Sequence, residues 1–322
     1  MQKVTFTWKD DALAGAIPAH VYYSSPSDDD PSPIGKLPCS HTYLRYLTTI
    51  SALVFHAGGF VLGDTDLIPR NQIAGLVARG FVVVTPEYRL CPQLSLYDGP
   101  IQDAKDVYKW CQQSLAKLMK SVDVHVDSSR IVAMGHSAGA QLALNTGLCP
   151  NPPRAIVDFY GCKLLDDPFW TRPTSIFAQI PEQLEEHTSK VFAGKHAISS
   201  VPLFVNGKPA LDDPRCAWFI MQMKNGSSIS SIVPDGDYRR VDAAMRLTHG
   251  FPPTYFFHGT SDIFVDLSLT VRTHETLRSL GVETKLDVGD QLGHVFDFNL
   301  LETDSLFVQH VVPALDFLQR HV

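Results

Sequence analysis

The sequence predicts an α/β protein: a mostly parallel central sheet flanked by helices, with one inserted irregular segment. Three observations predict it. Short apolar runs rich in β-branched residues alternate with helical patterns. The alternation stops at about Lys163 and resumes after Gly250. A serine pentad closed by a glycine at each end, Gly135 to Gly139, stands where one buried run gives way to a helix. The expected division is a core of residues 1–162 and 251–322 carrying an inserted lid at 163–250, with no internal repeat.

Taken in order, His20–Tyr23 reads as an early edge strand, and Ser24 to about His41, rich in Ser, Asp and Pro, as an exposed, mobile connection. Ile50–Phe55 is a buried strand ending at His56-Ala57-Gly58-Gly59. Asn71–Arg79 is a helix closed by Gly80 at its C′ position. Phe81–Val84 has lost polar alternation, as a strand covered on both faces does. Ile101, Ala104, Tyr108, Cys111, Leu115 and Leu118 recur at helical spacing from Pro100 to Met119. Arg130–Met134 and Ala155–Tyr160 are further buried strands, with a helix at Ala138–Thr146 between them. After the irregular stretch come a strand at Thr254–Phe257, a helix to Leu280, a strand at Thr284–Val288 and a last helix.

Composition narrows the classes. The 322 residues are 44% hydrophobic and 19% charged, ordinary for a globular protein with a sizeable core. The net charge of −7, without a Lys/Arg stripe, argues against nucleic-acid binding. No apolar run is long enough to span a bilayer, and Met1–Trp8 lacks a leader-like apolar stretch, so no membrane association and a cytoplasmic location are expected. Cys39, Cys91, Cys111, Cys149, Cys162 and Cys216 show no metal-type spacing and read as small buried hydrophobes of a reduced protein. Asn225-Gly226-Ser227 fits the glycosylation sequon but has no secretory context.

The pentad Gly135-His136-Ser137-Ala138-Gly139 matches G-x-S-x-G between a strand and a helix. A serine on so tight a turn needs small neighbours, and the turn lifts its hydroxyl beside the positive end of the helix. Ser137 is therefore the candidate nucleophile. His56-Ala57-Gly58-Gly59-Phe60 closes another strand, and consecutive glycines let backbone amides approach a substrate oxygen. Gly58, Gly59 and Ala138 are the candidate oxyanion donors. His56 reads as an anchor of that loop.

A serine hydroxyl needs a base, which on this type of sheet follows the orienting acid in the chain. Asp262, just after the strand Thr254–Phe257, is the candidate acid, with Asp266 as the alternative. His294, in Leu292-Gly293-His294, is the candidate base; His249 and His258 precede the acid, and His310 and His321 fall in or near the last helix.

Together these pieces resemble the α/β-hydrolase superfamily, and within it the hormone-sensitive-lipase-like esterases. Pro86-Glu87-Tyr88-Arg89-Leu90-Cys91-Pro92 is similar to that branch's P-D-Y-R-L-A-P segment. Two features depart from the branch. Ala57 stands where its loop carries a first glycine, and Gly259-Thr260-Ser261-Asp262-Ile263-Phe264-Val265 is closer to feruloyl-esterase-like and kynurenine-formamidase-like relatives. The resemblance implies the α/β-hydrolase fold and acyl transfer to water, with no cofactor and no metal. It leaves three readings open: hydrolysis of small to medium apolar esters, hydrolysis of an amide or lactone such as an arylformamide or secondary metabolite, and a non-hydrolytic use of the pocket. The expected partner is a small-molecule ester, amide or lactone, and a homodimer stays open. Phe169, Trp170, Trp218 and Phe219 in the inserted segment are candidates for an apolar substrate pocket or for the lid's own small core.

Overall fold

Alternate residues of the strand Thr49–Phe55 enter two different cores: Leu53 and Phe55 face one helical layer, Ala52 and Val54 the other. Period-two geometry sends successive side chains to opposite faces. With both faces covered, every one of these positions must be apolar, and Phe81–Pro86 repeats the rule with Val82 and Val84 opposite Phe81 and Val83. The computed structural model describes residues 1–24 and 49–322. Beyond Ser24, the expected Ser/Asp/Pro-rich connection, and Cys39 with it, lies outside the described residues.

The strands are β1 Gln2–Asp11, β2 Gly15–Tyr23, β3 Thr49–Phe55, β4 Phe81–Pro86, β5 Val126–His136, β6 Ile156–Phe159, β7 Thr254–Gly259 and β8 Thr284–Gly289. They form one sheet in the order β1-β2-β4-β3-β5-β6-β7-β8. The six strands from β4 to β8 pair in parallel, while β1 with β2 and β2 with β4 are antiparallel. The main helices are α1 Arg70–Ala78, α2 Gln102–Trp110, α3 Ala138–Thr146, α4 Pro214–Lys224, α5 Leu267–Ser279 and α6 Val312–Arg320. Helices α1 and α6 cover one face, and α2, α3 and α5 the other.

Most expected elements lie where the periodicity put them. Gly80 takes φ +86° as the residue that ends α1. The long helical run is continuous from Tyr97 to Met119, with wider π turns at Tyr97–Ile101 and Cys111–Leu115. One expectation is corrected. His20–Tyr23 is not at the edge: β1 pairs outside it. Val4, Phe6 and Trp8 alternate with polar residues and turn inward, which is the half-buried pattern of an edge strand.

Residues 163–250 are inserted between β6 and β7 and hold short turns, a two-residue strand pair at Phe204–Val205 and Lys208–Pro209, and α4. Cys91, Cys111, Cys162 and Cys216 are buried and Cys149 half-buried, all unpaired. Among the described residues no helix is long and apolar enough to cross a membrane.

Candidate active site

Strand β5 runs into Ser137, and α3 starts at the next residue. Ser137 has φ 52° and ψ −119°, a strained conformation for a residue with a side chain. The two glycines of the pentad permit close approach. A Cβ on Gly135 would meet the Gly139 carbonyl oxygen at 2.1 Å, and one on Gly139 would meet the Phe55 carbonyl oxygen at 2.3 Å. The Ser137 amide donates to the Phe159 carbonyl at 2.9 Å, which ties the turn to the neighbouring strand.

The loops after β7 and β8 bring the other two candidates to that turn. His294 Nδ1 donates to Asp262 Oδ2 at 2.7 Å, and the Ser137 hydroxyl donates to His294 Nε2 at 2.9 Å. The carboxylate accepts only, so it assigns the proton to Nδ1 and leaves Nε2 as the acceptor. Burial pushes the Asp262 carboxyl up, but His294 and His258 beside it outweigh this and hold it well below the usual carboxylate range. Asp262 Oδ1 accepts from the amides of Phe264 and Val265, so the same residue also closes an Asx-type turn. Asp266, the alternative acid, caps α5 through the Ser268 amide.

In the loop after β3, Gly58 and Gly59 take φ 128° and 62°. A side chain is strongly disfavoured at the Gly58 angle, and a Cβ on Gly59 would lie 2.3 Å from the Phe219 ring. Among the described residues the amides of Gly58, Gly59 and Ala138 have no internal acceptor. Gly58 and Gly59 line the cavity above Ser137; Ala138 is fully buried at the start of α3. His56 anchors the loop as expected, donating from Nδ1 to the Ala57 carbonyl at 2.6 Å and stacking on Tyr88 with ring centres 4.2 Å apart.

That cavity has a volume of about 330 Å³. Phe169, Trp170 and Phe219 line it together with Ser137 and His294. Trp218 does not, which corrects the sequence expectation. It precedes Phe219 on α4, so it points to another side of the helix and packs edge-on against Phe192 at 6.0 Å. Cys162 also lines the cavity, but burial pushes its thiol up to about 12, so it stays protonated at neutral pH and is no rival nucleophile.

Two buried networks behind the three side chains escaped the sequence reading. In the first, Asp297 accepts from the Tyr160 hydroxyl at 2.5 Å and from Gln72 Nε2 at 2.5 Å, with His136 Nε2 3.3 Å away. Burial pushes the Asp297 carboxyl up, and His136 and Tyr160 outweigh it. The Tyr160 ring lies 4.7 Å from the His294 ring, so this network braces the loop carrying the imidazole. In the second, Lys163 is fully buried, 3.1 Å from Asp158, and donates to Thr270 Oγ1 at 2.9 Å. Thr270 meets His258 Nδ1 at 2.8 Å, and His258 Nε2 donates to the Val265 carbonyl at 2.9 Å while lying 3.3 Å from Asp262 Oδ2. The only sequence signal for either network was proximity to Ser137, Asp262 or His294.

A family model described as alpha/beta hydrolase fold matches residues 52–172, from β3 through the pentad and into the inserted segment. This chain has the α/β-hydrolase fold. Among solved structures, butyrate-bound esterase 2 of Thermogutta terrifontis superposes with a TM-score of 0.59 at 20% identity, covering 98% of this chain and 92% of that one. A Staphylococcus aureus protein of unknown function reaches 0.67 at 17% identity, over 99% and 100% of the two chains. Curated relatives include the non-reducing polyketide synthases ausA of Emericella nidulans, at 28% identity over 318 residues, and mapC of Penicillium brevicompactum, at 29% over 308. Each match covers 84% of this α/β-hydrolase-fold chain but 12% of the relative, so the chain spans about an eighth of their length.

Proposed function

We propose that this protein is a serine hydrolase that cleaves carboxylic esters of small to medium apolar substrates through an acyl-enzyme on Ser137. The observation that carries the reading is the hydrogen-bonded line Asp262–His294–Ser137 opening onto an apolar cavity.

The chemistry follows from the protons. Ser137 Oγ attacks the ester carbonyl and gives its proton to His294 Nε2. Asp262, kept ionised, stabilises the imidazolium that forms. The carbonyl oxygen gains charge and is met by the free amides of Gly58, Gly59 and Ala138; each such donor typically contributes about 10²–10³-fold. His294 then protonates the leaving alcohol. A water, deprotonated by His294, attacks the acyl carbon and releases the acid and Ser137.

Residues 163–250 act in this reading as the lid that supplies Phe169, Trp170 and Phe219 to the acyl site. A volume of about 330 Å³ is at the small end of ligand cavities and suits a short or medium acyl chain. The polyketide synthase relatives favour a secondary-metabolite acyl group as the physiological substrate. Amide or lactone cleavage uses the same three side chains, and rates on matched ester, amide and lactone substrates separate these readings.

Ser137→Ala is expected to lower turnover of a chromogenic short-chain ester by about 10⁴–10⁶-fold and to abolish labelling by a fluorophosphonate. Near-normal turnover, or an unchanged label on another residue, refutes the assignment.

A further inference from the structure

The wall of the cavity above Ser137 is mostly apolar; besides the reacting Ser137 and His294 its polar side chains include Thr174, Ser228 and Arg172. Of the residues that line it, Arg172 is the single one with a permanent charge. Its guanidinium lies over the ring of Phe169, 5.9 Å from the centroid, and Phe169 itself faces the cavity. A cation against an aromatic face is held in place without being neutralised. Among the described residues no carboxylate pairs with Arg172. Asp167 and Asp266 lie near enough for the Arg172 charge to help hold their carboxyls down, but neither bonds it: Asp167 accepts from Arg272 at 2.5 Å and from the Phe169 amide, and Asp266 caps α5. Arg172 is exposed, so keeping it charged costs little, but a charge on the wall of an apolar site selects among ligands.

We infer that Arg172 is the counter-ion for a single carboxylate on the substrate, so that the preferred ester has an apolar body with one anionic end remote from the scissile bond. This rests on the ester-hydrolase reading and deepens it. One planar guanidinium matches one monoanionic carboxylate bidentately, whereas a phosphate dianion would leave a charge unmatched, since no second Lys or Arg lines the wall.

The test uses pairs of esters matched in length. One arm compares 4-nitrophenyl hemiesters of succinic, adipic and suberic acid with the corresponding butyrate, hexanoate and octanoate. A second arm places the charge on the alcohol side, comparing 4-carboxyphenyl butyrate with phenyl butyrate. Arg172→Gln is expected to lower the ratio of kcat/KM for the best acid to that for its neutral twin by on the order of 10-fold, chiefly through the KM of the acid. The wild-type preference should fade as salt is raised, because the cation is at the surface. If the variant keeps the wild-type ratio of acid to neutral rates in both arms, the inference is overturned while the hydrolase reading stands. If the wild type cleaves none of these esters, the hydrolase reading fails separately. Calorimetric binding of 4-phenylbutyrate to Ser137→Ala and to Ser137→Ala/Arg172→Gln then decides the role of Arg172: a loss of about 10-fold in affinity supports it, and equal affinities overturn it.

Discussion

His56 and Glu87 face each other across 3.6 Å, and neither His56 Nε2 nor Glu87 Oε2 has a hydrogen-bond partner among the described residues. They are not an ion pair. Burial pushes the imidazole down to about 4 and the carboxyl up to about 7, so between those values both are neutral. A protonated Glu87 then presents an O–H to a bare ring nitrogen of the residue that anchors the start of the Gly58-Gly59 loop. The folded protein binds this proton more tightly than an unfolded chain, where a glutamate titrates near 4.5. The resulting stability is therefore complete below about 4.5 and lost as pH rises through about 7, up to about 3 kcal/mol for a shift of this size. Glu87→Gln keeps a donor and cannot ionise. In urea denaturation the variant should gain on wild type by about that amount between pH 4.5 and pH 8; a difference that stays constant across the range would refute the protonated pair.

Each of two elements carries a steric prediction. In the turn from β5 to α3, Gly139→Ala puts a Cβ 2.3 Å from the Phe55 carbonyl oxygen, and backbone cannot move aside as a flexible side chain can. The expected outcome is a stability loss of at least about 2 kcal/mol, with fluorophosphonate labelling of Ser137 slowed by about 100-fold or more. Normal labelling would mean that the turn does not need this approach. On helix α4, Trp218 and Phe219 are adjacent but do different things. Phe219→Ala enlarges the cavity and should move the preferred acyl chain to greater length. Trp218→Ala should cost about 3 kcal/mol of stability and leave the chain-length profile unchanged. A chain-length profile measured for both variants checks this; identical shifts would show that the two share one role.

At the scale of the whole molecule, the N-terminal hairpin is tied to the rest through charge. Lys9 reaches Asp103 and Asp106 at 2.7 Å each, and Arg89 binds both Asp103, at 2.6 Å, and Asp11. Asp103 is fully buried and also accepts from the Arg89 amide at 2.8 Å. Trp8 Nε1 donates to the Glu87 carbonyl, so the segment after β4 links the hairpin to the His56 loop. Asp103→Ala leaves Arg89, itself buried, without its main partner, and such a loss typically costs about 3–5 kcal/mol. Chemical denaturation should show this cost; a change below about 0.5 kcal/mol would make the network a surface ornament.

The local sequence determined the alternation of elements, the serine turn, and the chain order of Ser137, Asp262 and His294, because periodicity and short spacing are properties of neighbouring residues. It also carried the glycines that tight backbone contact demands. What only the tertiary structure decided depends on residues far apart in the chain. Gln72 and Asp297 are separated by 225 positions, and Tyr160 and Asp297 by 137, so no local pattern records that they share a hydrogen-bond network. Packing likewise separated Phe219 from Trp218, since helical rotation alone does not say which side faces the cavity. Burial then set the protonation states, because desolvation acts on a side chain only once the chain has closed around it.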